Sequence, residues 1–247
     1  MKRNFQRGSD GLGRERALLV ALAGDLSLPL VHVKTALELI TADDFRKRTA
    51  REQSNEMQLS VDAGLQLVEA YRLLLRSDEI LNMTFQPVSI GAVLEDVAHR
   101  LQPYAQQYST EITVDIQGRF RPVLAHEASL SSAMEVLGFS LIRAQAAQAQ
   151  QERYQLVLGA HRSAENIVAA GVFSNVHGLS DRSLRAARSL AGHARQPLPA
   201  VPPGAASGIL LADMLCTALW QPLRSAAHRN LGGLATNLPI SKQLHFV

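Results

Sequence analysis

The sequence predicts an α+β protein, an N-terminal helical hairpin followed by a sheet covered by helices on one face. Three observations predict it. Apolar residues spaced by threes and fours run through the first third of the chain, as Leu19, Leu22, Leu26, Leu30, Val33, Leu37 and Ile40, the stripe of a long helix. After Asp78 the pattern changes, and Glu111-Ile-Thr-Val-Asp-Ile alternates apolar with polar residues, the mark of a half-buried strand. Amphipathic helices and further short strand runs then interleave towards the C-terminus, the order of a two-layer domain.

Residues 1–14 are basic and glycine-rich and predict a flexible tail. Residues 15–80 carry the hairpin. Thr41-Ala-Asp-Asp is its turn, and Met57, Val61, Leu65, Val68, Tyr71 and Leu75 form its second stripe. Such a hairpin has little hydrophobic depth alone. Either a second copy completes it as a four-helix bundle, or the rest of its own chain covers it. In the first case Leu19, Leu22, Leu26, Leu30, Val33, Leu37, Met57, Val61, Leu65 and Val68 are dimer-interface residues.

Residues 81–247 carry the α/β sandwich. Residues 83–90 read as extended, with Pro87 arguing against a central strand. Residues 91–108 and 127–150 read as helices, 111–116 as a strand, and 154–160 and 166–174 as strands around an Arg-Ser-Ala-Glu turn. Residues 181–194 are helical, Gln196-Pro-Leu-Pro-Ala-Val-Pro-Pro-Gly is a loop, and 205–220 is an apolar helix. Residues 223–227 and 234–240 close the domain as a hairpin around Gly232-Gly233, before an extended tail over 243–247.

Composition narrows the class. Of 247 residues 47% are hydrophobic and 19% charged, so the chain is globular rather than disordered. A net charge of +3 is too slight to mark a nucleic-acid binder. The single cysteine, Cys216, excludes an internal disulfide and a cysteine-built metal site. The longest purely apolar stretch, residues 17–23, falls well short of the roughly 20 residues that span a bilayer. No apolar run of signal-peptide length follows Lys2, Arg3 and Arg7. The expectation is a cytoplasmic protein with no membrane contact.

Three stretches in this order resemble the cytoplasmic core of bacterial sensor histidine kinases. Gly24-Asp-Leu-Ser-Leu-Pro-Leu-Val-His looks like the family's phosphoacceptor box, and Phe85-Gln-Pro-Val-Ser-Ile-Gly-Ala-Val-Leu-Glu-Asp-Val looks like the start of its nucleotide domain. Pro122-Val-Leu-Ala-His-Glu-Ala-Ser-Leu, leading into Met134-Glu-Val-Leu, looks like the strand and helix that hold its asparagine box. The resemblance covers about residues 16–247. It implies a histidine-kinase-like ATPase α/β sandwich behind a dimerising hairpin, and it accounts for Pro29, where the family's helix kinks.

Against that family the motif positions have changed. Gly24 stands at the phosphoacceptor position, with Asp25 at the adjacent acidic one. His32 lies eight residues on, about 80° round and about 12 Å along the helix. Phe139 stands where the family's asparagine holds magnesium, and an aromatic ring offers that ion no oxygen ligand. Ser174 takes the place of the aspartate that reads adenine, and of that box only Gly178 remains. In Ala206-Ser-Gly-Ile-Leu-Leu only Gly208 is kept, with Ala206 and Leu210 at the other glycine positions of a phosphate-cradling loop. The expectation is a pseudokinase: no kinase chemistry, no cofactor or metal, and a nucleotide site filled by Phe139 and Leu210.

The function expected of such a chain is a non-catalytic member of two-component signalling. It would form a homodimer and bind a response-regulator receiver domain or a histidine kinase as scaffold, sequestering factor or modulator. If Leu22, Leu26, Leu30 and Val33 face the bundle interior, then Leu28, Val31, His32 and Thr35 lie towards the outer side, where receiver domains dock in the family. Two alternatives remain. One is a phosphotransferase that relays phosphate to or from a receiver domain without ATP, through His32. The other is a binder of nucleic acid or a regulatory protein through a ridge of Arg182, Arg185 and Arg188, although nucleic acid is an unlikely partner at this charge.

Overall fold

The computed structural model describes residues 26, 30–31, 33–35, 37, 54, 57, 60–61, 64–65, 68, 70–71, 85–148, 154–175, 180–189 and 206–242. The chain divides into two units, Met1–Arg72 and Leu73–Val247. Every described residue of the first unit is helical, as the threes-and-fours spacing requires. The tail over 1–14, the turn at Thr41, the proline loop over 196–204 and the end over 243–247 lie outside the described residues.

The second unit runs β1 (Gln86–Val88), α1 (Ile90–Gln107), β2 (Thr110–Gln117), β3 (Val123–Ala125), α2 (Glu127–Gln148), β4 (Tyr154–Ala164), β5 (Ile167–Ser174), α3 (Asp181–Ser189), α4 (Ala206–Ala218), β6 (Arg224–His228) and β7 (Leu231–Pro239). Five strands form one sheet in the order β2-β4-β5-β7-β6. Only the β2–β4 pair is parallel; the others are antiparallel. The parallel pair needs a long crossover, and α2 lies within it. β1 and β3 make a separate antiparallel ribbon, so Pro87 never has to donate within the main sheet.

Alternation along the strands creates two faces. Leu156, Leu158 and Ala160 of β4, with Val168, Ala170 and Val172 of β5, are fully buried on one of them. The helices cover this face. Gly91 of α1 stands so close to β2 that an added Cβ would lie 3.1 Å from Ile116 Cδ1. The other face holds a smaller cluster of Val157, Phe173 and Ala235, against which Ala226 and Leu231 pack.

α2 is the central helix. Leu130, Met134, Leu137, Leu141 and Ile142 are all fully buried. Its two neighbours approach at positions where side chains are small. A Cβ on Gly138 would lie 2.4 Å from Leu101 Cδ1 of α1, and a Cβ on Gly208 of α4 would lie 1.6 Å from Ser140 Oγ of α2. Ser140 turns that hydroxyl back onto its own helix, donating to the Val136 carbonyl at 2.8 Å.

Two boundaries differ from the sequence expectation. β4 continues to Ala164, so the turn falls on Glu165-Asn166 rather than on Arg-Ser-Ala-Glu, and a register shift between Arg162 and Ala164 absorbs the extra length. The pair Gly232-Gly233 lies inside β7, and the hairpin turns at Arg229-Asn230 instead, where Arg229 adopts φ 51°. Gly233 is in the strand because β5 passes beside it: a Cβ there would lie 2.3 Å from the Val172 carbonyl oxygen.

The α2–α4 contact gives a direct test. Gly208→Ala should cost about 3 kcal/mol of unfolding free energy by overpacking. Combining it with Ser140→Gly should recover most of that loss in urea titrations. Equal stabilities for the Gly208→Ala variant and the parent would contradict the contact.

Candidate functional site

The segments aligned with the nucleotide motifs are α2, the end of β5 and the start of α4, and the aligned side chains of Phe139 and Ser174 have partners inside the protein. Phe139 is half-buried, with its ring edge-on to Tyr104 of α1 at a centroid separation of 4.7 Å. Tyr104 in turn packs against Tyr108 at 4.9 Å. Burial raises the Tyr104 phenol well above the ordinary tyrosine range, so it stays a neutral donor.

Ser174 ends β5 on the helix-covered face and is buried. Its Oγ accepts from Gln145 Nε2 of α2 at 2.6 Å, and Gln145 Oε1 accepts from Thr110 Oγ1 at 3.3 Å. Asn175 Oδ1 accepts from the Gln155 backbone N–H at 3.3 Å, which continues the network around the strand end. At the third motif, Leu210 is half-buried. Gly208, the glycine retained from the phosphate-binding box, serves the approach of α4 to α2 described above. Ala206 opens α4.

One residue of this region escaped the sequence reading. Glu135, one turn before Phe139 on α2, is only 3% exposed. Arg100 Nε of α1 donates to its Oε2 at 3.0 Å, while Oε1 is buried without a hydrogen-bond partner among the described residues. Burial raises its carboxyl above the usual range, and Arg100 works against that rise. Arg100 is itself held by Asp96 and Ser131. A buried carboxylate with an unused oxygen is suited to accept a proton or ligate a cation. Its only sequence signal was its place in Met134-Glu-Val-Leu, because the Arg100 partner lies 35 residues away.

In the helical unit, Leu30 (63% exposed), Leu37, Val61, Leu65 (62%) and Val68 are exposed, whereas Leu26, Val33 and Met57 are half-buried. Val31 and Thr35 are also exposed. Leu19, Leu22, Gly24, Asp25, Leu28 and His32 lie outside the described residues.

The three arginines of the expected ridge differ in their partners. Arg182 and Arg185 are exposed on α3, with Arg185 Nε donating to the Asp181 carbonyl at 3.3 Å. Arg188 grips Asp213 of α4 with both arms, at 2.8 and 3.0 Å, and donates to the Leu223 carbonyl at 2.9 Å. Asp213 Oδ1 also accepts from the Leu223 N–H at 3.0 Å. Arg188 therefore joins α3, α4 and the segment entering β6.

Among the described residues no helix is long and apolar enough to cross a membrane, and no three His, Cys, Asp or Glu side chains are grouped to hold a metal ion.

The Glu135–Arg100 pair predicts a pH-dependent effect. Arg100→Met leaves an uncompensated buried carboxylate, which should cost about 3 kcal/mol near pH 7. Because the folded-state pKa of Glu135 is raised, the penalty belongs to its ionised form. It grows as pH rises through that pKa and shrinks in acid. Urea titrations near pH 7 and near pH 5 should show a smaller loss at the lower pH.

No protein-family model and no curated protein matches the sequence. Solved structures resemble it in fold. The histidine kinase AdeS of Acinetobacter baumannii is 12% identical, with 88% of this chain and 98% of AdeS covered at a TM-score of 0.50. A histidine kinase from Burkholderia phymatum STM815 is 14% identical, with coverages of 89% and 98% and a TM-score of 0.44. Full-length ShkA, solved in complex with AMPPNP, is 14% identical; 92% of this chain and 46% of ShkA are covered at a TM-score of 0.49. The match to AdeS corrects the expectation that the chain is not an enzyme. AdeS is a histidine kinase, and that expectation rested on single aligned positions. The mixed sheet and its helices have the fold of a histidine-kinase ATPase domain, an α/β sandwich.

Proposed function

We propose that this chain is a cytoplasmic two-component signalling protein with changed motifs at Gly24, Phe139 and Ser174. Its helical hairpin forms a homodimer, and the outer side of the hairpin binds a response-regulator receiver domain or a histidine kinase, whose activity the chain scaffolds, sequesters or modulates. One observation carries the reading: Leu30, Leu37, Val61, Leu65 and Val68 stand exposed on helical residues. Fully burying a side chain of this kind is worth about 1.5–3 kcal/mol, so a second copy covering several of them gains enough to hold a dimer together. The threes-and-fours spacing suits the packing of antiparallel helices in a bundle. Val31 and Thr35, also exposed, extend the apolar surface towards the expected partner side.

Leu65→Glu should turn a dimer into a monomer in sedimentation equilibrium, with the sandwich still folded by circular dichroism. A parent protein that stays monomeric at high concentration would sink the dimer. Val31→Glu should weaken the binding of purified receiver domains by roughly tenfold, about 1.4 kcal/mol, and leave the dimer intact. Receiver binding that is absent from the parent, or untouched by this variant, would remove the docking surface.

A further inference from the structure

β2 and β6 are the two outermost strands of the sheet, yet their side chains meet. His228, the last residue of β6, is buried, and its Nε2 lies 2.7 Å from Asp115 Oδ2 on β2. Its ring sits over the intervening strands. A Cβ on Gly159 of β4 would lie 3.0 Å from His228 Cγ and Cε1, and Phe173 of β5 stacks on the imidazole at 4.9 Å and 28°. The other ring nitrogen, Nδ1, faces Nδ1 of His161 on β4 at 3.2 Å. Arg229, in the β6–β7 turn, donates to both oxygens of Asp115, at 2.6 and 2.8 Å, and the Gln117 amide stands 3.5 Å from His228 Nε2. The tip of the β6–β7 hairpin is thereby held across the outer face, where Ala226 and Leu231 cover Val157, Phe173 and Ala235.

The proton positions follow from the partners. A bond to the Asp115 carboxylate places a hydrogen on His228 Nε2, which leaves Nδ1 of the neutral ring as a bare acceptor. His161 must then present its hydrogen at Nδ1. One added proton fits on His161 Nε2 without disturbing either bond. A second has no such place. It puts N–H groups on both facing nitrogens and sets two cations 3.2 Å apart beside a carboxylate that Arg229 already neutralises.

We propose that His161, His228 and Asp115 form a proton-operated latch, closed while a single hydrogen lies between the two facing ring nitrogens and released when each of them carries one. The titratable and charged groups facing it are Asp115 from β2, His161 from β4 and Arg229 from the turn; Phe173 from β5 brings no charge. Burial first, and the neighbouring His228 second, hold His161 below the ordinary histidine range. Burial works to raise the Asp115 carboxyl, but hydrogen bonds from His228 and Arg229 outweigh it and keep it below the usual carboxylate range. The unfolded chain therefore takes up the histidine proton more readily than the latched one. The latch is at full strength above the ordinary histidine pKa and weakens as pH falls through it, while Asp115 is still ionised.

Hydrogen exchange over residues 224–231, corrected for the intrinsic rate and referenced to β5, tests this in the whole chain. Protection of the hairpin tip should fall roughly tenfold between about pH 7 and about pH 5 while β5 keeps its protection. In His161→Phe no ring nitrogen faces His228 Nδ1, so the pH dependence should disappear. His161→Asn, whose amide can still donate to His228 Nδ1, serves the same purpose if the first variant does not fold. Tip protection independent of pH in the parent would overturn the latch, and so would the same acid loss in a folded His161 variant.

Discussion

The close approach of Gly208 on α4 to Ser140 on α2 sets the arrangement of the sandwich. Gly208 lies so close to Ser140 that a single added carbon has no room, and Gly138 leaves a similar gap for Leu101 on the opposite neighbour. With both neighbours so close, α2 has little freedom to rotate or slide. Its register then decides which side chains look where. Glu135 and Phe139 meet Arg100 and Tyr104 of α1, and Gln145 reaches the end of β5. The retained glycine is thus explained by helix packing, whatever else it does.

Much of this was legible along the chain. Periodicities of 3.6 and 2 mark the helices and strands because each has one face to bury, and the observed elements follow the expected order closely. Local chemistry also places some boundaries: Ser89 caps α1, accepting from the Ala92 N–H at 3.5 Å. What failed depended on distant partners. The glycine pair read as a turn because glycines usually mark one, but β5 and Phe173 crowd Gly233 inside β7. β4 runs long because β5 pairs with it as far as Ala164.

The site shows the same division. Phe139, Ser174 and Gly208 could be found by aligning motifs, but Tyr104, Gln145 and Ser140, the groups they touch, could not. Arg188 looked like one of three equivalent arginines because its spacing is that of a solvated face. Asp213, 25 residues on, sets it apart. Asp115 and His228 are 113 residues apart on opposite edges of the sheet, and no local pattern joins them. Polar groups that find each other across the fold leave almost no trace in a single sequence.

The account rests most heavily on the exposed apolar residues of the helical unit being covered by a second copy. A spin label at Thr35→Cys tests that directly. Thr35 is exposed and outside the expected interface, and Cys216 does not compete, since burial pushes its thiol up to about 12. Dipolar spectroscopy should then give one narrow distance between labels on two chains, lost when Leu65→Glu is added. A signal no stronger than that of separate molecules, at concentrations where the parent is folded, would contradict the account.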